Sequence, residues 1–350
     1  MDNAIGVVGD YGVVQTAVVT EQPLPQLILA NTSFTVTAAV VGTPTPTVQW
    51  QLSVNDGATW SDIAGATSTT YTGGPLAVEN SGYQYRAVFS NGAITAATTA
   101  ATITVATSID DLIAGKTAST AQPLVSASDV SPAYPNTRNT GNWAASLDLS
   151  CMSLWNSENG GSKAGVLISP EHVLFAEHWK PAVGATLVFL SMTNERAVRT
   201  ITQLTTAPGY SPYFPDYAVG RLNSPVPSSI GKAVFLADRT LFPTDSVANY
   251  PVMWKNQFNE LCVSELTTFL TNSISYTKPT TGQRAAFGKT VITYDSGSPS
   301  FIVLDNKLVL LSVMTFGAGG GGTNLLSQRT NIDAIMTAQG GGYTTQSIVL

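Results

Sequence analysis

Residues 292–302 read ITYDSGSPSFI, an Asp295-Ser296-Gly297 turn running into an apolar strand. Taken locally this is a hairpin turn with a serine at its apex. Chemically it offers a nucleophile, provided three other parts exist: a base to take the serine proton, a carboxylate to orient that base, and N–H donors aimed at the developing oxyanion. The chain has few bases to give. Its only histidines, His172 and His178, lie six positions apart in GVLISPEHVLFAEHWKP, residues 165–181. A carboxylate, Asp216, leads an apolar strand in YFPDYAVGRLNSPVP, residues 213–227.

Together these segments resemble the trypsin-like serine peptidases. The first is similar to that family's strand–turn–strand ending in TAAHC, the second to its DIALLKL…PV segment. The third, YDSGSPSFIVLDNKLVLLSVMTFG at 294–317, is similar to its GDSGGP loop, a hairpin with Asp305-Asn306 at the tip, and a strand ending in Ser-Trp-Gly. The order is His, Asp, Ser, with 38 positions between His178 and Asp216 and 80 between Asp216 and Ser296. Any one segment is a common turn; three in this order, each at the end of a predicted strand, are specific. The resemblance runs from Trp143 to Ile335 and implies a chymotrypsin-like double β-barrel with its site in the cleft between barrels. It implies His178 as general base, with His172 a neighbour on the turn after Pro170. Asp216 would orient His178, and Ser296 would be the nucleophile. The oxyanion hole would be the N–H groups of Tyr294 and Ser296, and the substrate pocket would take in Thr290, Thr315 and Gly317.

Several positions depart from the family. Tyr294 stands where the first glycine of GDSGGP belongs, so it either sits there under strain or lets its peptide rotate and aim the N–H elsewhere, which implies a slow or gated hydrolase; Trp179 replaces the cysteine after the histidine. Glu177 replaces the second alanine of TAAHC, and a carboxylate turned toward the imidazole would raise its pKa. Counting back from Ser296 puts the floor of the specificity pocket at Thr290, so an acidic floor and a preference for Lys or Arg are not supported. No Ile-Val-Gly-Gly start is present, so the usual salt link from a freed amino terminus to the aspartate before the nucleophile, here Asp295, is not visible.

Upstream, residues 29–106 carry alternating runs such as SFTVTAAV, TVQWQLSV and YQYRAVFS, separated by the turn chemistry of GTPTP, VNDG and SNGA, and predict a small antiparallel sandwich. The stretch resembles bacterial immunoglobulin-like modules in its Gly42, Pro44, Pro46, Trp50 pattern. The resemblance implies Trp50 as the buried tryptophan and Tyr85 as the tyrosine-corner residue. Ala38 and Ala87 fall where disulfide-bearing relatives have cysteines, so packing around Trp50 has to hold the domain. SVNDGATW at 53–60, which also resembles an Asp-box with Asn55 in the aspartate place, reads as a hairpin turn. Residues 1–28 form an N-terminal arm or an extra strand. Residues 107–140, rich in Ser, Thr, Pro and Asn, read as a linker with one short helical turn at 108–114. Residues 141–350 form the peptidase-like domain, closed by a short amphipathic helix at 329–337.

The fold class is therefore all-β: an immunoglobulin-like sandwich followed by a chymotrypsin-like double β-barrel with a short C-terminal helix. Composition agrees, since 11% of 350 residues are charged while Gly and Pro number 30 and 19. A net charge of −6 without any Lys/Arg run argues against nucleic acid. No apolar stretch is long enough for a membrane span. The start, MDNAIGVVGDYG, shows no secretory signal. Cys151 and Cys262 are the only cysteines, which excludes a disulfide framework, and whether the two meet stays open. Two cysteines and two histidines without ligand spacing point to no structural zinc, and no cofactor is called for. The first expectation is a serine endopeptidase acting on a polypeptide substrate, extracellular or virion-associated, and positioned by its immunoglobulin-like module on a surface or virion partner. The rival is a non-catalytic virion or cell-surface component that keeps the peptidase fold; low charge and Thr/Ser/Ala richness suit it equally.

Overall fold

The computed structural model describes residues 16–92, 94–106, 109–126, 136–154, 163–210, 214–237, 249–304, 306–316 and 320–348. The chain divides into two compact units, Met1–Val105 and Ala106–Leu350. Each encloses its own apolar core.

Alternation builds the first unit. In the strand Tyr83–Ser90 every second side chain from Tyr85 to Phe89 is buried, and in Thr47–Ser53 Val48 and Trp50 are, because a pleated strand sends successive side chains to opposite faces. These two strands pair antiparallel with Trp50 opposite Ala87. A separate pair, Thr32–Thr37 with Thr70–Leu76, turns Phe34 and Val36 into the same core. Trp50 is fully buried and its indole N–H donates to the Ser68 carbonyl at 2.8 Å. Ala38 and Ala87 are buried too, so the positions that resembled cysteine sites hold small packed side chains.

One expectation for this unit changes. Tyr85 packs against Phe34 with ring centroids 4.7 Å apart, and its hydroxyl makes no hydrogen bond among the described residues. It is a core aromatic, and burial pushes its pKa up to about 12. The stretch before residue 29, read as an arm or an extra strand, supplies strands over its described part: Thr16–Glu21 pairs with Ala39–Thr43, and Gln26–Leu29 pairs with Ala101–Ala106. This pairing explains Gly42, where an added Cβ would lie 2.3 Å from the Thr16 carbonyl oxygen. The SVNDGATW segment is a hairpin turn, with positive φ at Asp56 and Gly57 and the Asn55 Oδ1 accepting from the Thr59 N–H at 2.9 Å.

The second unit holds two β structures. In the first, strands run in the order Val166–Leu167, His172–Phe175, Ala218–Leu222, Arg196–Thr206, Thr186–Leu190. Residues 152–154 bridge its edges: the Ser153 N–H donates to the Gly165 carbonyl at 3.0 Å and the Leu154 N–H to the Val188 carbonyl at 2.8 Å. The second is a closed six-stranded barrel of Tyr250–Lys255, Leu261–Phe269, Ser273–Thr277, Gly321–Thr323, Lys307–Phe316 and Pro299–Leu304, the last returning to the first at Met253↔Phe301. The closing helix spans Arg329–Gln339 and buries Ile332, Ile335 and Met336. It stops at Gly340, whose φ of +90° and N–H bonds to the Met336 and Thr337 carbonyls form the cap.

The segment read as a linker has the helical turn expected at 108–114, but over its described part it packs into the second unit. Ile109–Ile113 and Ala118–Ala121 are short helices, and Ile109, Ile113, Ala121 and Leu124 lie in the core of the second unit. Asp110 pairs with the Arg284 guanidinium at 2.6 Å, and the Gln122 amide donates to the Phe287 carbonyl at 2.9 Å. Cys151 and Cys262 are both free and buried. No helix among the described residues is long and apolar enough to cross a membrane.

Candidate active site

The two β structures of the second unit deliver the three residues from separate places in the chain. His178 sits in the 3₁₀ turn Glu177–Trp179, which follows the strand His172–Phe175. Asp216 lies two residues before the strand Ala218–Leu222, the neighbour of that strand. Ser296 occupies the turn leading into Pro299–Leu304 of the closed barrel. Gly297 has φ +87°, and a Cβ there would lie 3.0 Å from the Ala164 carbonyl oxygen, which accounts for glycine after the serine.

These residues meet. His178 Nε2 is 2.9 Å from Ser296 Oγ, and His178 Nδ1 is 2.5 Å from Asp216 Oδ2. Asp216 is 2% exposed, and its second oxygen accepts the backbone N–H of His178 at 3.1 Å. Its own N–H donates to Thr323 Oγ1 at 2.8 Å. The carboxylate therefore grips both ring and backbone of His178, fixing the tautomer in which Nδ1 carries the proton and Nε2 is free to accept one. The chain Asp216–His178–Ser296 can draw the proton from Ser296 Oγ.

Beside it, Tyr294 has φ +83°, the left-handed region that glycine takes without cost. Neither the Tyr294 N–H nor the Ser296 N–H has an acceptor among the described residues. Asp295 is 1% exposed; its Oδ2 accepts the Ile292 N–H at 2.9 Å and its Oδ1 the Gln257 N–H at 3.0 Å. Burial raises its pKa, opposed by those two N–H groups and by the charge of Lys255.

A cavity of about 360 Å³ opens next to Ser296, lined by His178, Trp179, Val291, Ile292, Thr293, Tyr294, Ser296 and Met314. Trp179 and Tyr294 form one wall, their ring centroids 5.6 Å apart. Thr290 is exposed and does not line this cavity, whereas Val291 and Ile292 do. Thr315 follows the lining residue Met314 and is half-buried, with its hydroxyl unbonded. Gly317 and Asp305 lie outside the described residues. Glu177 pairs with Lys180. His172 is fully buried in the first β structure, its Nδ1 bonded to Ser169 Oγ and not to a triad residue. Among the described residues no cluster of three or more His, Cys, Asp or Glu side chains could hold a metal.

Sequence reading missed Thr323, Gln257 and Lys255. Thr323 and Gln257 carry no signal, since one acts through a hydroxyl and the other through its backbone. Lys255 did carry one, as the only charge in the run YPVMWK.

The second unit thus joins two β structures around a Ser–His–Asp constellation. It has the chymotrypsin-like fold of the trypsin-like serine peptidases. The first unit is an immunoglobulin-like sandwich. A family model described as Domain of unknown function (DUF8696) matches residues 27–107. Endoglucanase C of Cellulomonas fimi is 45% identical over 76 residues, which are 22% of this chain and 7% of that protein. The chain therefore spans only a small part of the curated relative it matches. Similar solved structures include kallikrein-related peptidase 10, 15% identical over 53% of this chain and 94% of its own, with a TM-score of 0.40. Another is neuropsin, a serine protease expressed in the limbic system of mouse brain, at 17%, 53%, 94% and 0.39. The tandem Ig repeats of Dlar are 19% identical over 27% of this chain and 50% of theirs, with a TM-score of 0.23.

Proposed function

We propose that this chain is a serine endopeptidase that hydrolyses peptide bonds through an acyl-enzyme. The observation that carries the reading is the continuous hydrogen-bonded chain from Asp216 through His178 to Ser296 Oγ. Ser296 Oγ attacks the scissile carbonyl while His178 Nε2 takes its proton, then returns it to the leaving amine; water repeats the sequence on the ester. The buried Asp216 carboxylate stabilises the imidazolium formed in each half. The unbonded N–H groups of Tyr294 and Ser296 receive the oxyanion.

The cavity beside Ser296 has no Asp, Glu, Lys or Arg in its lining, and Val291, Ile292, Met314 and the two aromatics make it apolar. It suits an uncharged side chain next to the cleaved bond, because burying an ion there without a partner is costly. The immunoglobulin-like unit positions the peptidase on a surface or virion partner.

The test is labelling with a serine-directed phosphonate, followed by digestion of a peptide library. Ser296 should take the label, and cuts should follow apolar residues. Ser296→Ala and His178→Ala should each abolish cutting, with Asp216→Asn somewhat milder, because triad members act as a unit. An unlabelled Ser296 with an uncut library would favour the non-catalytic surface component; a His178→Ala variant with full turnover would refute the triad.

A further inference from the structure

The wall formed by Trp179 and Tyr294 carries chemistry that the triad does not use. At these two positions the trypsin-like family has a cysteine and a glycine, so a pair of rings beside the nucleophile is this chain's own feature. The ring centroids are 5.6 Å apart with an interplanar angle of 48°. Trp179 is half-buried, while Tyr294 stays 49% exposed and so offers ring surface that nothing in the fold covers. Lys163 Nζ lies 5.2 Å from the Trp179 ring centroid and donates to the Lys180 carbonyl at 2.9 Å. The ammonium steadies the tryptophan through its π face, and the backbone steadies the ammonium.

The cavity beside Ser296 has two apolar groups in its lining. Val291 and Met314 come together over Gly320, where an added Cβ would lie 2.7 Å from Val291 Cγ2 and 3.6 Å from Met314 Cε. Trp179 and Tyr294 form the other group. The path of the proton decides which part of a substrate each group meets. His178 Nε2 hands its proton to the leaving amine, so the residue after the cleaved bond starts beside the imidazole. Trp179 is the next residue in the same 3₁₀ turn, Glu177–Trp179. A side chain on the amine half therefore meets the two rings, and one on the acyl half is left to Val291 and Met314.

We propose that Trp179 and Tyr294 form a subsite on the leaving-group side that selects substrates with an aromatic residue immediately after the cleaved bond. The inference rests on Ser296 being the nucleophile. An aromatic side chain suits the place because it covers the exposed part of Tyr294 and gains from tilted ring contacts beyond the area it buries. Neither wall residue brings a charge that would hold an ionised side chain there.

The experiment is acyl transfer by the full chain. A nitrophenyl ester of an acetylated apolar amino acid acylates Ser296 and releases nitrophenolate, leaving the amine side empty. Phenylalaninamide or alaninamide then competes with water: the amine nitrogen attacks the ester carbonyl, His178 takes its proton and passes it to Ser296 Oγ as that C–O bond breaks, and a dipeptide amide leaves. The ratio of dipeptide amide to free acid, read by chromatography, is internal to each protein, so a slow variant remains readable. Wild type should prefer phenylalaninamide over alaninamide about tenfold. Trp179→Ala and Tyr294→Gly should each cut that preference to about twofold or less, and Trp179→Phe should keep most of it. If Trp179→Ala does not fold, Tyr294→Gly, which removes a half-exposed ring, gives the answer. Equal use of the two amides by wild type overturns the proposal. So does a Tyr294→Gly variant that keeps the full preference, or one that takes phenylalaninamide better than wild type, which would make the rings an obstruction. A wild type that releases nitrophenolate no faster than Ser296→Ala overturns the hydrolase reading and this inference with it, whereas one that acylates but ignores the ring of the acceptor overturns the inference alone.

Discussion

Tyr294, at φ +83°, holds a backbone shape that costs a non-glycine residue about 1 to 3 kcal/mol. Its ring is 49% exposed and leans on Trp179, so packing compensates for little of that strain. The sequence posed a choice between a strained tyrosine and a rotated peptide, and the structure takes the strained one. If the Tyr294 N–H is already aimed at the oxyanion, Tyr294→Gly should leave kcat on a small ester within threefold of wild type while raising the melting temperature. Scanning calorimetry and ester kinetics check both; a tenfold rise in kcat would mean the tyrosine had been misdirecting its own N–H. At this scale the sequence showed His178, Asp216 and Ser296 directly, because each lies in a segment whose turn and strand pattern is local. It could not show the Gln257 N–H meeting Asp295, since 38 positions separate them and only the closed barrel brings them together.

Among the elements, the strand His172–Phe175 and the turn before it depend on a buried histidine. Ser169 Oγ accepts the backbone N–H groups of Glu171 and His172 and lies 2.8 Å from His172 Nδ1, so the serine proton goes to Nδ1 and the ring is neutral. Burial, then the nearby Arg221 charge, lowers the His172 pKa to about 4, with Glu171 opposing. In the unfolded chain the ring titrates near 6.5. Falling pH therefore protonates the unfolded state first, and stability present above about pH 6.5 is lost as pH drops toward 4, by about 3 kcal/mol in all. Denaturant melts at pH 7, 5.5 and 4 should show the loss, and His172→Gln should flatten this part of the profile; an equally steep His172→Gln profile would exonerate the histidine. Of the stretch read as a linker, the helical turn expected at 108–114 is present as Ile109–Ile113, while the second helix, Ala118–Ala121, and the packing of both into the core were not legible. Elements of five and four residues have too few turns to display a period, and their anchoring partners, Arg284 and Phe287, lie far along the chain. The closing helix, at eleven residues, was long enough to be read within two residues of its end.

At the scale of the whole molecule, the chain encloses two separate cores, and the first is held without any cross-link. Trp50 anchors it: fully buried, hydrogen-bonded to Ser68, and close to Tyr71 at 6.0 Å between ring centroids. The alternating strands and Trp50 made this sandwich legible, but its beginning was not, because Thr16–Glu21 is an edge strand with mostly exposed side chains and earns its place through backbone pairing. A fragment of residues 16–106 should therefore fold alone, whereas one starting at 29 loses the partners of Ala39–Thr43 and of one side of Ala101–Ala106 and should melt lower. Reductant should leave both unchanged, since the fragment contains no cysteine. Trp50→Ala should cost about 3 to 5 kcal/mol, a large share of the roughly 5 to 15 kcal/mol that holds a domain. Circular dichroism melts of the two fragments and of Trp50→Ala in the longer one decide the matter. Equal melting temperatures for the two fragments would show that the early strands are decoration, and an unmoved Trp50→Ala curve would show that the core is held from elsewhere.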